Sequence, residues 1–263
     1  MQKISIITIS YNSKNTIERT IKSVLEQNYP NLEYIIIDGG STDKTLDIIE
    51  KYRNKINKII IESDEGISDA FNKGIQVATG DIIGILNSDD WYEKNTLEIV
   101  NQNLSNDNYD FIVGSLRYWN SKGHNFIVKP DKNYKSKIRY KMPHLNHPAS
   151  FFKKSVYGEV GLFNKNFKYA MDYDFFFRVN KANKKPAFTD KILANMSFSG
   201  ASDKNAIKAY KEVLKISDKK LTAFLYFLYS AIKYYIRFLL IKTHLEKLLL
   251  KIRKRKYKNE NSH

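Results

Sequence analysis

Residues 4–45 read ISIITISYNSKNTIERTIKSVLEQNYPNLEYIIIDGGSTDKT, and this stretch decides the fold. Residues 4–9 and 34–37 are short, β-branched apolar runs of the kind that suits a parallel sheet covered on both faces. Between them, Asn15 followed by Glu18 is a capping signature, and Ile17, Ile21, Val24 and Leu25 then line one helical face. The unit is strand, helix, strand.

The same alternation continues outward. Apolar runs recur at residues 59–61, 82–86 and 111–113. Ser41, Thr42 and Asp43 can cap a second helix beginning near Lys44. In a third, Ile67, Ala70, Phe71, Ile75 and Ala78 share a face, with Asp69, Asn72, Lys73 and Gln76 opposite. This βαβα order predicts an α/β, doubly wound domain with a mostly parallel sheet. Beyond residue 117 the pattern loosens. A basic, proline-bounded stretch at 130–143 reads as a mobile loop, residues 172–182 as a short helix, and an apolar run surrounds Ile192. Residues 203–256 read as helical, dividing the chain into a domain over 1–202 and a tail over 203–263.

Composition narrows the function. None of the 263 residues is cysteine, which excludes disulfides, thiol catalysis and cysteine-based zinc sites, and is compatible with a reducing, cytosolic setting. The formal charge is +16, but residues 203–263 hold 16 Lys and Arg against 5 Asp and Glu, so +11 lies in the tail and +5 in the rest. That distribution argues against a nucleic-acid-binding domain. Residues 1–9 are too short an apolar run for a signal peptide, lack a cleavage site and fit a buried first strand better.

In open α/β sheets, ligands sit beyond the carboxyl ends of the strands. Strand one ends in Thr8, Ser10, Tyr11 and Asn12. Strand two ends in Asp38, Gly39, Gly40 and Ser41, and strand four in Asn87, Ser88, Asp89 and Asp90. Adjacent carboxylates after an apolar strand repel unless solvated, hydrogen-bonded or shared with a cation. Taken alone, Asp89 and Asp90 could equally form a loop and a helix cap.

The ordered set SIITISYN (5–12), IIIDGGSTDKT (35–45), SDEGISDAFNKGIQVATGD (63–81), GILNSDDWY (84–92), NHPASFF (146–152), MDYDFFFR (171–178) and SFSGAS (197–202) resembles an inverting family-2 glycosyltransferase with the GT-A fold. Any one piece is weak; their order and spacing are specific, and the resemblance covers residues 1–202.

By that resemblance Tyr11 and Asp38 hold the nucleotide base, Thr8 supports the pocket, and Asn72 and Lys73 face the donor. NSDD is similar to the family's DxD motif. Asp89 is then the direct ligand of a divalent metal, Mg2+ or Mn2+, with Asp90 beside it. Asn87 replaces the common leading Asp, removing one negative charge, and with Ser88 it meets the nucleotide sugar. Asp172 resembles the catalytic base, although the acid that often precedes it is Met171 here. His147, Asp174, Gly200 and Ser202 fall around the acceptor or the diphosphate. A UDP-sugar is the default donor, and the acceptor a cell-surface or lipid-linked glycan.

Chemically the set suffices. An acceptor hydroxyl needs a carboxylate to take its proton, and the leaving nucleoside diphosphate gathers charge that a hard cation stabilises. Two other readings keep the fold: a non-catalytic sugar-nucleotide-binding scaffold, which would lack the base or the metal cluster, and a nucleotidyltransferase. The latter calls for a glycine-rich phosphate loop near strand one, which SYNSKN does not provide.

The tail has its own logic. Over residues 219–241 a helix places Leu221, Phe224, Leu225, Leu228, Ile232, Ile236 and Leu239 on one face, and Lys219, Tyr226, Ser230, Lys233 and Arg237 on the other. Lys233 and Arg237 are costly inside a bilayer, so an amphipathic helix on an anionic membrane surface fits better than a span. The basic run at 251–258 suits lipid headgroups. The expected location is cytoplasmic, peripheral on the inner face of the cell membrane. The alternative partner for this face is the catalytic domain itself or a second subunit.

Overall fold

The computed structural model describes residues 1–105, 107–120, 123–197 and 205–242. The opening unit forms as β1 (Ile4–Ser10), α1 (Ile17–Leu25) and β2 (Leu32–Asp38). Strands β1 and β2 pair in parallel, from Ile4 opposite Leu32 to Ser10 opposite Asp38. There follow α2 (Thr45–Glu50), β3 (Lys58–Ile61), α3 (Ile67–Val77), β4 (Ile82–Asn87), β5 (Trp91–Tyr92) and α4 (Thr96–Leu104). Next come β6 (Phe111–Trp119), β7 (Asn125–Val128), α5 (Tyr134–Lys137), β8 (Ser150–Lys153), α6 (Lys154–Val160), α7 (Met171–Lys181) and β9 (Pro186–Ser197). Two helices, α8 (Ala206–Ile216) and α9 (Lys220–Lys242), extend the domain at its C-terminal side.

One sheet runs in the order β3-β2-β1-β4-β8-β6-β9-β5, with β7 paired to β6. Strands β1 to β4, β6 and β9 share a direction, while β5, β7 and β8 oppose it. The fold is thus α/β, doubly wound and mostly parallel. The uninterrupted apolar runs follow from burial on both faces. Ile35 and Ile37 of β2 pack with Phe71 and Ile75 of α3. Tyr34 and Ile36 point the other way, towards Ile21 and Val24 of α1. Helix α3 lies close on β1 because Gly74 has no side chain: a Cβ there would stand 2.3 Å from Ile7 Cγ2.

Some expectations needed correction. No side chain caps α1; Glu18 instead accepts a hydrogen bond from the Tyr52 hydroxyl at 2.8 Å and pairs with Lys22. Asp43 does serve α2, accepting the Thr45 N–H at 2.9 Å. The stretch 130–143 is anchored rather than loose. It contains α5, buries Tyr134 and Ile138, and receives the Tyr173 hydroxyl on the Ile138 carbonyl at 2.6 Å. Its two apolar anchors outweigh its basic composition. The helical pattern expected over 203–256 forms as two helices within the described residues, with Ser217 buried between them, and residues 243–263 lie outside the described ones.

Candidate active site

A cavity of about 850 Å³ opens at the carboxyl ends of β1 and β4, where a doubly wound sheet leaves its crevice. Ser10, Tyr11 and Asn12 line it from β1, and Asn87, Ser88 and Asp89 from β4. The chain reaches the far wall by topology. Strand β8 is antiparallel to β4, with Ile82 opposite Lys153 and Gly84 opposite Phe151. A short 3-10 turn, His147–Ala149, leads into β8 and lies beside the end of β4, so His147 reaches Asn87 from 60 positions away.

His147 joins two walls of the cavity. Its Nδ1 lies 2.9 Å from Asp172 Oδ2, and its Nε2 lies 3.3 Å from Asn87 Nδ2. The Asn87 amide nitrogen also donates to Asp90 Oδ2 at 3.3 Å. An amide nitrogen only donates, so Nε2 accepts and Nδ1–H donates to Asp172. The bonding pattern thus assigns the neutral tautomer and its orientation. Asp172 stands in the first turn of α7 and lines the cavity. Burial pushes its carboxyl up, but the hydrogen bond from His147 outweighs this and holds it below the usual range. Asp172 and Asp89 share one cavity.

Asp90 is fully buried and does not line the cavity. Burial, then the neighbouring Asp89 charge, pushes its carboxyl well above the usual carboxylate range. Asp90 Oδ1 and Asn87 Oδ1 are both buried without a hydrogen-bond partner among the described residues. Orphaned acceptors of this kind are rare and costly, and here two of them flank Asp89. Hard oxygen donors that leave places for phosphate are the set a magnesium-like ion takes. Among the described residues, no cluster of three acidic, His or Cys side chains forms a complete cage.

The β1 edge is built around a turn. Asp38 is fully buried, and its carboxylate accepts the Ser10 and Ser41 hydroxyls and the Gly40 and Ser41 N–H groups. All its near bonds go into holding the loop. Above it, Tyr11 is 62% exposed. Across Gly39 sits Asp64, which lines the cavity; a Cβ on Gly39 would meet Asp64 Oδ2 at 2.5 Å and Tyr11 Cδ2 at 3.4 Å. Asp64 Oδ1 is fixed by the Gly66 N–H, 2.9 Å away. The missing side chain at Gly39 therefore leaves a slot between a ring and a carboxylate.

Other expected residues stand elsewhere. Thr8 is buried under the Tyr34 hydroxyl at 3.1 Å. Asn72 clasps the backbone of Phe163 at 2.8 and 2.9 Å. Lys73 binds the Ser63 carbonyl at 2.7 Å and pairs with Glu62 at 3.0 Å. Asp174 is buried against Arg178 at 2.9 Å, which in turn holds the carbonyls of Val160 and Leu162. None of these four lines the cavity. Gly200 and Ser202 lie outside the described residues. Asp64, Tyr118, Tyr169 and Tyr210 line it without having been expected. Asp64 was visible within the SDEG run, whereas Tyr210 comes from α8, whose position no local pattern reveals. A shallower groove of about 560 Å³ between α1 and β5 contains none of the expected site residues.

The chain belongs to glycosyltransferase family 2: the family model described as Glycosyl transferase family 2 matches residues 5–161. An uncharacterized glycosyltransferase of Rickettsia typhi is 35% identical over 189 residues, covering 66% of this chain and 58% of the relative. The putative teichuronic acid biosynthesis glycosyltransferase TuaG of Bacillus subtilis is 41% identical over 98 residues, covering 36% and 39%. This chain therefore spans less than two thirds of the length of either relative. Among solved structures, S. aureus TarS residues 1–349 in complex with UDP-GlcNAc aligns at TM-score 0.62 and 20% identity, over 84% of this chain and 69% of that one. The mannosyltransferase PcManGT of Pyrobaculum calidifontis, in complex with GDP-Man and Mn2+, aligns at 0.63 and 18%, over 81% and 62%. The fold is GT-A-like.

Proposed function

We propose that this chain transfers a sugar, with inversion, from a nucleotide-diphosphate sugar to a hydroxyl of a cell-surface or lipid-linked glycan, assembled at the inner face of the cell membrane. The observation that carries this is the single cavity shared by the His147-held carboxylate of Asp172 and by Asp89, with Tyr11 at its rim. Family membership supports the reaction class, and TuaG, named for teichuronic acid biosynthesis, supports the acceptor class. The nucleotide sugars named with TarS and PcManGT support the donor class, with a UDP-sugar as default.

Asp172 takes the acceptor proton. A carboxylate held ionised by His147 is ready to accept it, and because His147 bonds Oδ2, Oδ1 is left for the substrate. Tyr11 stacks on the base, and Asp64 meets its edge across Gly39. Asp38, Thr8, Asn72 and Lys73 keep the donor wall in shape from behind. Asp89 with Asn87 would hold Mg2+ or Mn2+, the latter named with PcManGT, with Ser88 beside them and Asp90 buried behind. A bound divalent ion supplies charge stabilisation for the departing diphosphate. His147 acts through Asp172 as a positioning residue.

The test is a panel of nucleotide sugars assayed for transfer and for hydrolysis, with the product anomer read by NMR. Asp172→Asn is expected to lower turnover by about 10²–10⁴-fold while donor affinity stays within a factor of about two. Near-normal turnover by that variant would remove Asp172 from the role. A product retaining the donor's anomeric configuration would exclude direct displacement.

A further inference from the structure

Helix α9 is docked the opposite way round from a helix that belongs to a core. It faces the rest of the protein with Ala223, Tyr226, Phe227 and Ser230, of which Ala223 and Ser230 are buried. Tyr226 meets Tyr140 and Tyr210 edge to face, with ring centroids 6.3 Å away in each case. The longer apolar side chains point out. Leu221, Phe224, Leu225, Leu228, Ile232 and Ile236 lie between 41% and 74% exposed, and they recur at helical spacing along one side. This excludes the catalytic domain as the partner of that face. An exposed apolar ridge of six large residues marks a surface built to be covered.

Charge selects the cover. No Asp or Glu occurs between residues 219 and 245, while Lys219, Lys220, Lys233, Arg237 and Lys242 do, and residues 251–258 add six more cations. A second copy seated on this ridge would bring the same cations and no acid to meet them. A bilayer with anionic headgroups offers an apolar layer to the ridge and a negative surface to the exposed Lys219, Lys220 and Lys233 on the sides of the helix away from it. Among the described residues no helix is long and apolar enough to cross a membrane. We propose that the exposed ridge of α9 seats the protein on an anionic lipid surface, with the helix lying in the interface plane.

The seating has a direct route to the cavity. Helix α8, which contributes Tyr210 and Val213 to the cavity wall, is packed between α7 and α9. Under the transfer reading above, an acceptor carried by lipid then enters beside Tyr210. The seating itself does not depend on that reading.

The experiment uses the full chain and sedimentation with vesicles of phosphatidylcholine alone or mixed with phosphatidylglycerol. The expected result is at least about tenfold more protein bound to the mixed vesicles at low salt, falling as salt screens the headgroups. Leu225→Ser, Leu228→Ser and Ile232→Ser combined, all at exposed positions, should lose at least about tenfold of that binding. Nucleotide-sugar affinity should stay unchanged, measured on the same samples, so that failure of the transfer reading and failure of the seating are separately visible. The proposal is overturned if the full chain stays in the supernatant with mixed vesicles, if it binds both vesicle types equally, or if the triple variant binds like the parent. A vesicle-free dimer that the triple variant dissolves would also overturn it, assigning the ridge to a subunit contact.

Discussion

His147 accepts from Asn87 on one nitrogen and donates to Asp172 with the other, so replacing it frees the carboxylate to rotate and to take up protons more readily. His147→Ala is expected to lower kcat on the order of 10- to 100-fold, with the donor KM within about twofold, in steady-state transfer assays. A larger rise in KM than fall in kcat would assign His147 to donor binding instead. A second carboxylate acts on stability alone. Glu33 accepts hydrogen bonds from Ser5, from the Thr79 hydroxyl and from the Thr79 N–H. Burial raises its pKa, but these bonds outweigh it and lower the value from 4.5 to about 2. A depressed folded-state pKa stabilises above the unfolded value and loses that contribution as pH falls through the folded one. Glu33→Gln should therefore cost on the order of 3 kcal/mol at pH 7, with the difference closing between pH 4.5 and 2 in urea titrations. Single residues were unevenly legible. Asp89 and Asp172 stand out in the sequence because carboxylates at the mouths of strands and helices need a reason. The inward turn of Asp90, the self-contained bonds of Asp38 and the clasp of Asn72 on Phe163 do not, because each depends on a partner distant in the chain or on burial.

Elements were legible where one period dominates. Strands β1, β2 and β4 and helices α1 and α3 are long enough to show their buried side in the sequence. Strands β5, β7 and β8 have two to four residues and show no period, so the antiparallel part of the sheet was out of reach. The packing of α3 on β1 offers a test. Gly costs about 1 kcal/mol against Ala in a helix, so Gly74→Ala would stabilise an isolated α3. In the protein the new methyl collides with Ile7, and overpacking costs about 1–3 kcal/mol. The expected net result is a loss of up to about 2 kcal/mol, a fall in thermal midpoint of up to about 8 °C, read by calorimetry. A rise would mean that α3 can move off β1 freely.

At the scale of the whole molecule, the sheet has an apolar core on each face, and neither depends on an ion. Chelation is therefore expected to leave the thermal midpoint of the unliganded protein within about 2 °C, while saturating donor with Mn2+ raises it by about 5–10 °C and chelator cancels that gain. Melting scans with and without chelator decide this; a collapse on chelation alone would make the ion structural. The antiparallel seam between β4 and β8 carries one more consequence. His147 opens the short 3-10 turn His147–Ala149 that leads into β8, so one residue added or removed between that turn and the strand would carry His147 away from both of its partners. Natural insertions and deletions should therefore spare the few residues that enter β8.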